Sequence, residues 1–109
     1  FMGYFKLFQS EKNSQHYFNL KAGNHETILS SEGYTDESGA QNGIASVQKN
    51  SQDESKFERK ESSNGKQYFI LKAGNGQEIG RSEMYESADG MENGIKSVMK
   101  NGSSEEVKV

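Results

Sequence analysis

The sequence predicts an α+β protein of two tandem β-β-β-α repeats, an antiparallel sheet with both helices packed on one face. Three observations carry this. The chain matches itself at an offset of 51 positions, each half contains runs of alternating apolar residues, and each half then switches to helical spacing. Residues 13–50 align without a gap onto residues 64–101, and 20 of 38 positions are identical. The densest blocks are Tyr17-Phe18-Asn19-Leu20-Lys21-Ala22-Gly23-Asn24 against Tyr68-Phe69-Ile70-Leu71-Lys72-Ala73-Gly74-Asn75, and residues 42–50 against 93–101.

The first half opens on a β-prone run at residues 4–8, followed by a turn at Asn13-Ser14. Phe18, Leu20 and Ala22 then alternate with Tyr17, Asn19 and Lys21, the period of two of a half-buried strand. Gly23-Asn24-His25 turns the chain into a third strand over residues 26–31. After Tyr34 the spacing becomes i, i+4, i+7 at Ala40, Ile44 and Val47, which is the stripe of an amphipathic helix. Thr35 or Asp36 can accept hydrogen bonds from the orphan N–H groups at its start, and Asn50 stops it. Gly43, beside the buried Ile44, is read as allowing close helix–sheet approach.

Residues 51–55 form a polar link, and the second half repeats the pattern. A strand at 56–60 leads to Asn64-Gly65, a signal for a type I′ turn with positive φ at both central residues. Phe69, Leu71 and Ala73 face one way and Tyr68, Ile70 and Lys72 the other. Gly74-Asn75-Gly76 turns into a strand at 78–82, and Met91, Ile95 and Val98 mark a second helix capped by Ser87. Phe5 falls on Phe57 once a single residue is inserted. The alternation over residues 105–109 allows a short final strand. Residues 1–109 are thus one compact domain, with repeats at 4–50 and 56–101 and a tail or short strand at 102–109. The expected core is Phe18, Leu20, Ile28, Ile44 and Val47 with their counterparts Phe69, Leu71, Ile79, Ile95 and Val98.

Composition narrows the function classes. Apolar residues make up 30% of the chain, so the core is thin, and the net charge of −3 draws neither nucleic acid nor an anionic membrane. Cysteine is absent, which removes disulfides, thiolate metal sites and cysteine nucleophiles. No apolar run approaches the roughly 20 residues of a membrane span, and no signal peptide is evident, so the expected location is cytoplasmic. The start at Phe1-Met2 is unusual, and Phe1 is given no role. One half alone is too small for a secure core. It is expected to unfold or to pair as a homodimer, while the whole chain is a monomer or weak homodimer.

The tandem F-x-L-K-A-x-N turn, the S-E-x-Y step at residues 31–34 and 82–85, and the N-G-I-x-S-V-x-K-N helix resemble the YegP-like family of small bacterial proteins, a domain of unknown function. The resemblance implies a two-layer α+β fold with an antiparallel sheet, the halves related by pseudo-twofold symmetry and exchanging end strands, and it brings no catalytic residues. His25 stands where the family's turn favours glycine, and Arg59 replaces an apolar strand residue.

The polar residues carry no catalytic constellation. His16 and His25 have Gln67 and Gly76 as counterparts and no third ligand at fixed spacing, so they read as surface histidines, with no metal and no cofactor expected. Ser31 and Glu32 are adjacent strand residues pointing to opposite faces, which separates a nucleophile from its base. They are read as corner residues satisfying backbone groups, with Tyr34 over the helix start. Asn42 and Asn93 sit inside helices and are expected to hydrogen-bond the other half or a nearby loop. Tyr17, Lys21, Tyr68 and Lys72 share the outer sheet face and are the candidate interaction surface. The function expected is a non-enzymatic structural or protein-interaction module with an unknown protein partner. The alternatives are single-stranded nucleic-acid or small-ligand binding on the outer sheet face, which the acidic balance disfavours for nucleic acid, and an enzyme of unknown reaction.

Overall fold

The computed structural model describes residues 3–109, and the reading of Phe1 falls outside them. The elements are β1 (Tyr4–Gln9), β2 (His16–Lys21), β3 (Thr27–Ser31), α1 (Glu37–Asn50), a 3₁₀ turn (Glu54–Lys56), β4 (Phe57–Glu61), β5 (Gln67–Lys72), β6 (Glu78–Arg81), α2 (Ala88–Asn101) and β7 (Val107–Lys108). One seven-stranded sheet runs in the order β4-β5-β6-β3-β2-β1-β7. β1, β2 and β3 pair antiparallel in sequence, as do β4, β5 and β6. β3 pairs with β6, Ser30 opposite Arg81 and Ser31 opposite Gly80, and this seam joins the two meanders.

The expectation of an antiparallel sheet fails at one edge, where β7 runs parallel to β1 with Val107 opposite Phe5. The chain leaving α2 arrives beside β1, and the Phe5 N–H donates to the Glu106 carbonyl at 2.9 Å. The Gln48 side chain of α1 holds this crossover by donating to the Ser104 carbonyl at 2.8 Å. The strand following α1 lies instead at the far edge, beside β5. The residues expected to be a plain polar link include the 3₁₀ turn and the fully buried Ser51.

The helices form where the spacing places them. Asp36 Oδ1 accepts from the Gly39 N–H at 2.8 Å and Ser87 Oγ from the Gly90 N–H at 3.0 Å, each relieving an orphan donor of the first turn. At the other ends, Asn50 and Asn101 fold back and donate to the carbonyls of Ser46 and Ser97. All ten expected core residues are buried, none more than 7% exposed. Each such side chain contributes about 1.5–3 kcal/mol relative to leaving it in water. Phe5 meets Phe18 edge-on at 5.8 Å, and Phe57 meets Phe69 likewise at 5.6 Å, so the aligned phenylalanines fill equivalent places.

Two glycine positions depend on close approach. A Cβ at Gly43 would run into the Tyr34 hydroxyl, and one at Gly94 into that of Tyr85. The helix glycines therefore make room for a tyrosine ring, which stacks in turn on Phe18 or Phe69. At the seam, a Cβ on Gly80 would lie 2.9 Å from the Leu29 side chain. Leu29 and Gly80 are counterparts in the repeat, so the space where the halves meet holds one leucine. A homodimer of the first half, arranged in the same way, would oppose Leu29 to itself.

The hairpin at Asn64-Gly65 is not a type I′ turn. Gly65 alone of the pair has positive φ, +85°. Its N–H bonds the Ser62 carbonyl while the Ser62 N–H bonds the Lys66 carbonyl. A tight turn followed by one left-handed residue absorbs strand twist in a longer loop than Asn-Gly alone requires. In the first half the same left-handed place falls to Ser14, at φ 61°.

Ser14 is exposed, and its side chain is not needed for the turn. Ser14→Gly should therefore raise unfolding stability by about 0.5–1 kcal/mol, the left-handed penalty less the entropy cost of glycine. Chemical denaturation measures this, and a destabilised variant would contradict the assigned turn.

Candidate functional site

The sheet face away from the helices carries the four residues singled out from the sequence, and it treats the halves differently. In the first half Tyr17 lies opposite Phe8 on β1, their rings stacked at 5.9 Å and 20°. Asn13 Nδ2 donates to the Tyr17 hydroxyl at 2.9 Å, and Lys21 Nζ donates to Thr27 Oγ1 at 2.6 Å. Phe8 is 38% exposed. A shallow depression of about 400 Å³ opens beside the rings, lined by Phe8, Lys12, Tyr17, Asn19 and Ser30.

In the second half the corresponding surface is covered by its own side chains. Arg81 lies over the Tyr68 ring at 5.6 Å, a cation–π contact. Lys72 Nζ lies 2.7 Å from Glu58, whose carboxyl the lysine holds below its ordinary value. Ile70, the counterpart of Asn19, is buried between Glu58 and Arg81 on neighbouring strands. All four are half-buried, and the halves differ in what covers them: Tyr17 stacks on an exposed phenylalanine, whereas Tyr68 and Lys72 meet charged partners. Phe8 was missed from the sequence because it lies upstream of the gapless repeat match, which begins at residue 13. Its signal lay in the alignment, where Lys60 stands as its counterpart.

The S-E-x-Y step is a corner. Ser31 Oγ accepts from the Phe18 N–H at 2.9 Å and donates to the Glu32 carbonyl at 2.8 Å. Ser82 repeats both bonds with Phe69 and Glu83. Both hydroxyl protons are spent on backbone, leaving neither serine placed as a nucleophile. Near the seam, Glu32 faces Glu78 across a groove of about 400 Å³ that Tyr34, Asn42 and Ser46 also line. The Glu32 carboxyl sits above its ordinary value because it shares a hydrogen bond with Glu78, with burial and the charge of Glu78 adding to this and Arg81 opposing it. Among the described residues neither Asn42 nor Asn93 has a side-chain hydrogen-bond partner, and both are exposed. The expected hydrogen bonds to the other half or a nearby loop are therefore not formed among the described residues. His25 Nδ1 pairs with the Tyr4 hydroxyl at 3.0 Å, while His16 forms a backbone bridge to Tyr34. No group of three or more potential metal ligands occurs among the described residues.

The model of a family described as "Domain of unknown function (DUF1508)" matches residues 11–58 and again 62–108. The chain belongs to this family. Among its relatives, the UPF0339 protein YegP of Escherichia coli K12 is 55% identical over 106 residues, covering 97% of this chain and 96% of that protein. The UPF0339 protein MS1092 of Mannheimia succiniciproducens is 51% identical over 107 residues, covering 98% and 94%. The solution NMR structure of yegP from E. coli, a protein of unknown function, superposes with a TM-score of 0.92 at 53% identity, covering 99% of this chain and 93% of that one. That of the UPF0339 protein SO3888 from Shewanella oneidensis gives 0.92 at 51% identity, covering 99% and 91%. The resemblance read from the motifs is therefore membership, and these relatives bring no assigned activity. The matched units begin after β1 and after β4 and end in the strand that follows each helix, at residues 58 and 108.

Glu32 gives this site a pH signature. Its folded value is raised, so its neutral form contributes stability fully below the ordinary value of 4.5 and loses that contribution as pH rises through the folded value. Glu32→Gln, a permanently neutral donor, should gain stability over wild type as pH moves from about 4.5 toward neutrality. Asp36 acts in the opposite sense, since the Gly39 N–H and Ser38 lower its value and its contribution is lost in acid. Unfolding curves at several pH values measure the difference between wild type and variant. Parallel profiles would contradict the Glu32–Glu78 hydrogen bond.

Proposed function

We propose that the protein is a non-enzymatic binding module whose working surface is the outer sheet face of the first half. The observation that carries this is the Phe8–Tyr17 stack, with Phe8 exposed and no described element laid over it, set against the capped Tyr68 of the other half. Exposed aromatic surface costs solubility unless it contacts something. The commitment of Ser31 and Ser82 to backbone argues against an enzyme at the best-placed polar residues.

In this reading the 109 residues act as one unit of two pseudo-twofold-related repeats that exchange the strands after their helices. The protein is a cytoplasmic monomer. Its β4 edge carries Glu58, Arg59, Lys60 and Glu61, charges that discourage strand addition by a second copy. Among the described residues no helix is long and apolar enough to cross a membrane.

A photoreactive phenylalanine analogue at position 8, expressed in the native host, tests the surface. Adducts are expected from position 8 and not from position 60, its counterpart. Equal adducts at both positions, or none at either, would overturn the reading.

A further inference from the structure

The repeat supplies an internal comparison, because the same three places on the outer face are finished in one half and unfinished in the other. Ile70 is buried where Asn19 is half-exposed, Arg81 stands where Ser30 leaves a gap, and Lys60 replaces Phe8. Among the described residues the side chains of Asn19 and Ser30 have no hydrogen-bond partner, although both line the depression beside the rings. Two polar groups with unspent capacity at the floor of an aromatic-walled hollow suit a ligand with a π face and a polar edge.

The charges around this hollow point the same way. In the second half Lys56, Arg59, Lys60, Lys66, Lys72 and Arg81 all have carboxylate partners. In the first, neither Lys12 nor Lys21 forms an ion pair among the described residues; Lys21 donates to the Thr27 hydroxyl, and Lys6 donates to a Val109 oxygen at 3.1 Å. The outward positions of β1, β2 and β3 hold no carboxylate; the acidic residues of this half lie in turns, at the corner and on α1. The net charge of −3 therefore conceals a cationic, aromatic face. Lys108 of β7 lies beside Lys6 and 4.2 Å from the Tyr4 ring centroid, its charge paired with Glu106 at 3.5 Å.

Resting on the contact surface proposed above, we infer that its occupant is single-stranded nucleic acid. A base lies against the Phe8–Tyr17 pair with its edge over Asn19 and Ser30, and flanking phosphates meet Lys6, Lys12 and Lys21. An acidic peptide would satisfy the lysines, but it does not supply the polar-edged ring the hollow accommodates. Recognition of this kind is tolerant of sequence, because every base offers a π face.

The test is fluorescence anisotropy of labelled twelve-nucleotide oligo-thymidylate and oligo-uridylate with the full chain, between roughly 50 and 200 mM salt. Saturable binding is expected, weakening with salt at a log–log slope of about −2, the value for three phosphate contacts on a single strand. The Phe8→Ser, Tyr17→Ser double variant should bind about tenfold or more weakly. Joint replacement of Lys6, Lys12 and Lys21 by Gln should flatten the salt slope, and Tyr68→Ser should change nothing. Circular dichroism checks that each variant is folded, and Phe8→Ser alone serves where the double variant is not. No saturable oligonucleotide binding, or equal loss with Tyr68→Ser, would overturn the inference, as would a poly-glutamate peptide binding in place of both oligonucleotides. Position-8 photoadducts that resist nuclease and yield to protease would retain the surface and reject this occupant. Absence of any adduct at position 8 would reject the surface itself.

Discussion

The pairing of β3 with β6 is the contact on which everything else in this molecule rests. Two residue pairs, Ser30 with Arg81 and Ser31 with Gly80, turn two three-stranded meanders into one sheet. Neither meander with its helix offers a secure core by size alone. Joined at the seam, both helix stripes and both sets of inward strand residues become one cluster. The seam also fixes what lies on either side of it. Inside, Leu29 takes the space that Gly80 leaves free; outside, Arg81 turns onto Tyr68; and at the end of the strands Glu32 faces Glu78.

A duplicated chain cannot stay symmetric where it touches itself. Counterparts that meet at the seam compete for one volume, so Leu29 opposite a second leucine would overfill it. Away from the seam the halves differ for another reason. β1 is flanked by β7, so Leu7 is buried, whereas its counterpart Arg59 lies on an edge strand and reaches Glu92 and Glu54. The departure noted in the sequence at Arg59 is thus the signature of an uncovered edge. The outer face has diverged in the same residue-by-residue way. Asn19 against Ile70 and Phe8 against Lys60 separate a surface left open from one closed by its own side chains.

Much of this was legible before the structure because it is local. Alternation placed Phe18, Leu20, Phe69 and Leu71 inward, and the spacing of Ile44 and Val47 with Ile95 and Val98 placed the helices. Ser87 announced the start of one helix, and Thr35 or Asp36 that of the other, the structure giving the cap to Asp36. Contacts between distant segments were not legible. Nothing in residues 27–31 announces that they pair with residues 78–81, and Leu29 and Gly80 look unrelated until they are neighbours. The parallel placement of β7 depends on where α2 ends in space, which periodicity does not encode. The turn type at Asn64-Gly65 depends on loop length, set by the register of β4 on β5 and invisible in the dipeptide. Summed charge misled about the outer face because addition discards position: Glu32, Asp36 and Glu37 cancel Lys6, Lys12 and Lys21 in number while lying elsewhere.

The central claim is that the seam makes two repeats one cooperative structure, and native-state amide hydrogen exchange tests it most directly. If the claim holds, the slowest amides of β2, β3, β5 and β6 share one opening free energy, because no half retains its core once the seam opens. Two well-separated limits, one for each half, would show that the repeats unfold independently and would contradict it.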